Sequence, residues 1–209
     1  MNRLIILLLL CLLGNSSIAF AYGPYDYINP MHRQKYLPIV EEFHFNANVR
    51  NLVHGQSDTL YGDLQYVLYA FPNHHPALNA MVRLYRRNHN SLPGSPPGTT
   101  PDKFFIRAIK FSPQDAVAYM LYGIYMHKMG RLDEAEKLYL KALEIAPDMA
   151  EINYNIGLLY TEKKDYKKAS RYGQKAYSLH YPLPGLRDKL IRAGVWNEAV
   201  RVRKKQVSQ

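Results

Sequence analysis

Apolar positions in the C-terminal half repeat with a helical period. Leu132, Ala135, Leu138, Tyr139, Ala142 and Ile145 recur at spacings of three and four, and Asp133, Glu134, Lys137, Lys141 and Glu144 fall between them. At 3.6 residues per turn the two sets lie on opposite faces, which predicts an amphipathic helix with one buried stripe. Gly130-Arg131 breaks the chain before it, and Pro147 ends it because proline cannot continue a helix. Lys164-Asp165 is a matching break further on, and Asp115 and Asp148 stand where helix N-caps belong.

The N-terminal half is less regular. Tyr22 to Pro30 carries two prolines and no helical period, and 22–40 reads as an extended arm. Glu41–Val53 and Leu60–Phe71 predict short helices. Pro76–Arg87 predicts a third, with Leu78, Met81, Val82 and Tyr85 on one face. Ser91–Pro101, with four prolines and two glycines, is a loop, and Pro101 suits the first turn of a helix running to Lys110. Region 41–113 is thus irregular and helical. Within it, His75–Pro113 reads as a degenerate hairpin with a long loop, and Leu64–Pro72 as the end of another. The expected fold class is all-α.

Sliding the chain by 34 residues against itself brings segments into line. Gly123 falls on Gly157, Ala135 on Ala169 and Ala142 on Ala176. In the other direction Ala108 falls on Ala142, Pro113 on Pro147 and Phe105 on Tyr139. Two units follow, 116–149 and 150–183. A partial third, 184–206, is announced by Gly194-Val195-Trp196-Asn197-Glu198-Ala199, which matches Gly130 to Ala135. Its offset from the second unit is 30 residues, so its first helix should be about one turn short, with Pro182 and Pro184 at its start.

Leu121-Tyr122-Gly123, Ala135, Tyr139, Ala142 and Pro147, with Ile156-Gly157, Tyr160, Ala169 and Ala176, resemble the tetratricopeptide repeat. The resemblance covers about half of the chain that follows residue 21 and implies antiparallel helical hairpins stacked as a short solenoid. The small residues would mark the closest helix approaches. It also implies that first helices line a concave groove. By register the groove positions are Val117, Met120, Ile124, His127 and Lys128, then Glu151, Tyr154, Leu158, Thr161 and Glu162. Asn155 matches one position of the clamp that family members use for a peptide carboxylate. Met120 and Ile124 stand where that clamp has Lys and Asn, so an apolar, aromatic groove is implied instead. The blocks Gly23–Tyr27 and Phe71–His75 are similar to segments of exported bacterial tetratricopeptide proteins with no assigned activity.

The first residues change the picture of location. Arg3, the apolar run Leu4–Leu13 and Ala19-Phe20-Ala21 form a secretory signal, residues 1–21, with cleavage expected before Tyr22. The run is too short for the roughly 20 residues that span a bilayer. Leu10 before Cys11 argues against a lipid anchor. Cys11 is the one cysteine, so the chain beyond residue 21 has none and no disulfide can form. A periplasmic or secreted protein is expected. The net charge is +10, or +9 without Arg3, which favours acidic or anionic envelope contacts over nucleic acid. Arg201, Arg203, Lys204 and Lys205 form a basic surface near the C-terminus. Eighteen tyrosines against one tryptophan give packing residues with polar tips, suited to binding faces.

Candidate chemistry is sparse. His74-His75 is the most tempting pair, with His32, His44, His54 and Asp63 as possible companions, yet no helical i, i+4 pair or ligand spacing appears. Asn73 and His74 also suit helix caps between Pro72 and Pro76. No phosphate loop or nucleophile motif is present, and no cofactor or metal is expected. The expected function is therefore a non-catalytic scaffold or adaptor of the envelope or of a secretion-related assembly. It would bind a peptide or partner helix through Met120, Ile124, His127, Tyr154, Asn155 and Leu158. The alternative is a small exported enzyme or metal-binding protein that uses the His-rich N-terminal half.

Overall fold

A computed structural model describes residues 23–196, and these contain helices and loops with no strand. The chain divides between Asp115 and Ala116 into two compact units.

Among its described residues the first unit holds six helices. They are α1 (Pro30–Lys35), α2 (Leu37–His44), α3 (Ala47–Arg50), α4 (Leu60–Ala70), α5 (His75–Arg87) and α6 (Asp102–Phe111). The expected extended arm 22–40 is therefore extended only up to Asn29. Asn29 accepts from the Met31 and His32 amides and starts α1, and Pro38 sits in the first turn of α2. The single helix expected over Glu41–Val53 is two. Asn46 adopts an extended conformation and caps α3, while Phe45 turns fully into the core. α4 and α5 pair through the short turn Phe71–His74, and α2 packs on α4. α6 also reaches α4. Arg107 donates to the Leu68 and Tyr69 carbonyls at 3.1 and 3.2 Å, and Lys103 donates to the Tyr61 hydroxyl at 3.0 Å. These carbonyls end a helix and have no partner within it, so Arg107 acts as a C-terminal cap from another element. Phe45, Leu64, Leu68, Phe71, Leu78, Met81 and Phe105 form the core.

The second unit holds α7 (Ala116–Lys128), α8 (Leu132–Ile145), α9 (Ala150–Glu162), α10 (Tyr166–Ser178) and α11 (Gly185–Arg192). α7 pairs with α8 and α9 with α10. α8 packs on α9, and α11 meets both α9 and α10. Ala135, Ala142, Ala169 and Ala176 are fully buried where paired helices touch. At Gly123 a Cβ would lie 2.6 Å from the Tyr139 ring, so only glycine permits that approach. Gly130 takes left-handed backbone at the break between α7 and α8, Lys164 does the same between α9 and α10, and Gly194 does so after α11. α11 has 8 residues against 13 in α7 and α9, the shortening expected after Pro182 and Pro184. Asp148 does not cap α9. Met149 occupies the cap, and Asp148 pairs with Lys175 at 2.7 Å.

Candidate functional site

The expected groove positions lie on α7 and α9 with unequal exposure. Met120 is 2% exposed and Tyr154 8%, so both are packing residues rather than open surface. Ile124 and Leu158 are half-exposed at equivalent positions one repeat apart. His127 is committed to its neighbours. Its Nε2 lies 3.0 Å from Glu162 on the next first helix, and its ring meets Tyr139 edge-on. The Asn155 amide donates to the Glu151 carbonyl at 2.9 Å within its own helix, so it does not project as a carboxylate ligand would. Tyr154 lies under Tyr181, with ring centroids 4.2 Å apart, and meets Tyr177 edge-on at 6.5 Å. Burial raises the Tyr177 and Tyr181 hydroxyls above the usual phenol range. Ion pairs run across this unit. Lys163 bridges Asp133 at 2.7 Å and Glu136 at 2.6 Å, and Glu136 also accepts from Tyr160. Arg131 pairs with Glu134, Lys141 with Glu144 and Lys168 with Asp165. The basic residues Arg201, Arg203, Lys204 and Lys205 lie outside the described residues.

The histidine-bearing turn between α4 and α5 is a structural hub. His74 is fully buried and caps α5. Its Nδ1 accepts from the Ala77 amide at 3.1 Å, which leaves Nε2–H to donate to Glu41 at 3.2 Å. Burial lowers the His74 pKa below the ordinary histidine value, and the His74 hydrogen bond lowers that of Glu41. His75 donates to Asp115 at 2.7 Å, His44 to Asp63 at 2.8 Å and His54 to the Gly55 carbonyl at 2.7 Å. The histidines thus disperse to separate partners. Among the described residues no group of three His, Cys, Asp or Glu could hold a metal. A cavity of about 190 Å³ borders His44 but is otherwise lined by Ile39, Val40, Phe43 and Tyr66.

Asn73 ties this turn to the arm. Its carbonyl oxygen accepts from the Tyr27 amide at 2.9 Å, and its amide donates to Asp26 and to Asp115 at 2.8 Å each. The Tyr27 ring meets His74 and His75 edge-on, and Tyr25 stacks on Tyr36 at 3.9 Å. The sequence pointed to Asn73 only as a cap. Its bridging of two carboxylates has no local signature, because the partners lie more than forty residues away on either side.

A family model described as a tetratricopeptide repeat matches residues 114–181. These residues are tetratricopeptide repeats. Two solved structures share the fold. A MamA protein superposes with a TM-score of 0.55 and 18% identity, covering 82% of this chain and 90% of that one. Pseudomonas aeruginosa PilF superposes with a TM-score of 0.54 and 17% identity, covering 77% and 66%. Shares of that size exceed what the second unit alone supplies, so the likeness takes in helices of the first. The mouse protein O-mannosyl-transferase TMTC3 is 30% identical over 101 residues, and its human counterpart is 29% identical over 105. The chain spans about a tenth of the length of these two relatives.

Tetratricopeptide repeats commonly bind protein partners, and the arrangement here suits that task. Stacked hairpins hold one row of side chains from successive first helices on a common face. Ile124 and Leu158 are the accessible members of that row, and Tyr181, from the loop after α10, extends it. Nothing in the 34-residue register singles out Tyr181, because it precedes the shortened third repeat, where the register breaks.

Proposed function

We propose that this protein is an exported adaptor of the cell envelope or of a secretion-related assembly, and that its repeat face holds an extended peptide or a helix of a partner protein. The observation that carries this reading is the half-exposed row of Ile124 and Leu158 on stacked first helices. Apolar side chains left open on a regular scaffold suit an apolar partner surface. The export part rests on residues 1–21 and on the absence of cysteine beyond them.

The test is site-specific photocrosslinking in the native cell from Leu158 replaced by a photoreactive residue. Tyr154 is unsuitable because it is buried. One dominant adduct, absent when the probe sits on the solvent-facing Lys141, supports the adaptor reading. Equal labelling from both positions argues against a specific face. N-terminal sequencing of the purified protein tests export separately: a first residue of Tyr22 supports it, and retention of Met1 in the cytosolic fraction removes it.

A further inference from the structure

The arm before α1 is held mainly by polar contacts. The Tyr25 amide donates to the Ala70 carbonyl at 2.7 Å, the Asp26 amide to Nδ1 of His32 at 2.9 Å, and the Tyr27 amide to Asn73 at 2.9 Å. The Ile28 and Asn29 amides turn back onto the Asp26 carboxylate and carbonyl at 3.0 and 3.2 Å. No residue from 23 to 29 is fully buried, and Ile28 is 45% exposed. A segment that buries so little opens locally at less cost than the helices beneath it, which enclose Leu64, Phe71 and Leu78.

Two imidazoles in this seat must be neutral. A backbone N–H can only donate, so Nδ1 of His32 has to offer Asp26 a lone pair. A proton there removes the bond and sets one N–H against another. His74 spends both ring nitrogens, Nδ1 on the Ala77 amide and Nε2–H on Glu41. The Tyr27, Phe45 and Phe71 rings enclose it, with centroids 4.7, 5.0 and 6.4 Å away. Of these three rings, Tyr27 belongs to the arm. Departure of the arm would wet His74, and burial is what holds its pKa below the ordinary histidine value. The wetter state therefore gains as pH falls.

The surrounding charges leave that direction unchanged. Glu41 on α2 draws a proton to His74, while Arg50 on α3 and the neighbouring His75 repel one, and burial outweighs the attraction. His32 faces Asp26 and the Tyr25 and Tyr36 rings, with Arg33 and Lys35 on its own helix. The Asp26 carboxylate is already engaged, since it accepts from Ile28, Asn73 and Ser112. His75 pairs with Asp115 at 2.7 Å, a contact that protonation of His75 strengthens, so the α4–α5 turn itself keeps its anchor.

We propose that residues 23–29 form an acid-released latch: protons taken up by His32 and His74 between pH 7 and pH 5.5 free the arm from the α4–α5 turn while the helices stay folded. Release bares Tyr25, Tyr27 and the rings that they cover. The latch is independent of the repeat face and of any partner there.

Hydrogen exchange of the purified full chain tests it, read by mass spectrometry and corrected for the intrinsic effect of pH on exchange. Protection of the peptide that carries residues 23–29 should fall about tenfold between pH 7 and pH 5.5, while that of α4, α5 and the repeats is kept. In H32N/H74N an amide oxygen accepts in place of each imidazole nitrogen and cannot titrate, so protection of the arm should not change over this range. H32N alone, at a half-exposed position, gives a second variant that keeps the buried His74, and its loss should be smaller than that of the native chain. Arm protection that stays constant in the native chain, a loss shared with α4 and α5, or an equal loss in the variants overturns the latch.

Discussion

Gly123 and Asn73 show how much single positions decide. In Gly123→Ala the new methyl meets the buried Tyr139 ring at 2.6 Å. Alanine gains about 1 kcal/mol in helix propensity, but overpacking against a rigid ring costs about 1–3 kcal/mol. The clash wins, because the ring is enclosed and cannot step aside, and urea denaturation should show a net loss of up to about 2 kcal/mol. Asn73→Ala leaves the Tyr27 amide and two carboxylates without their shared partner, and should cost about 2–4 kcal/mol in the same assay. His74 and Glu41 set an acid sensitivity. Both pKa values are lowered on folding, so the unfolded chain binds more protons than the native one. The His74 contribution is lost as pH falls below its unfolded value of about 6.5, and that of Glu41 as pH falls below about 4.5. Melting midpoints should therefore drop from pH 7 to pH 4. His74→Asn, which keeps a capping side chain, should flatten the upper part of that slope.

At the scale of elements, the break between paired helices is the informative feature. Gly130, and Gly194 after α11, take left-handed backbone without penalty, and Lys164 takes it with φ near 60°. Lys164 is exposed, so Lys164→Gly removes strain without removing packing. It should raise the stability of the repeats by about 0.5–1 kcal/mol in thermal or urea melts. The repeats were legible in the sequence because small residues recur in register where helices touch, and the chain has few other ways to place Gly123, Ala135 and Ala142. The N-terminal helices were harder to read for an equally physical reason. Pro30 and Pro38 punctuate an extended segment and also suit a first helical turn, so α1 and α2 hid inside what looked like an arm. Asn46 divided one expected helix into two because its side chain offers the α3 amides a cap. The hairpin expected over His75–Pro113 gave way to contacts of α6 with α4 that depend on Arg107 and Lys103, whose targets no local pattern encodes.

At the scale of the whole molecule, two units each carry a buried core without covalent cross-links beyond residue 21. A reductant should therefore leave the melting curve of the cleaved chain unchanged, and a downward shift would show that the purified protein still carries Cys11. The likeness to MamA and PilF extends over most of the chain and so takes in helices of the first unit. The candidate groove was partly legible. Register located Ile124 and Leu158, while the burial of Met120 and Tyr154 depends on how their neighbours close over them. The arm has a further consequence, in the order of events. Asp26 and Tyr27 find their partner in Asn73, and Asp26 also meets Ser112, 86 residues further on. Contacts so distant along the chain form slowly, because a long loop must close first. Residues 23–29 leave the ribosome early and must wait until Ser112 and Asp115 have followed before their seat is complete. During that interval Tyr25 and Tyr27, half-buried in the finished fold, are uncovered, which leaves residues 23–29 open to capture by a chaperone.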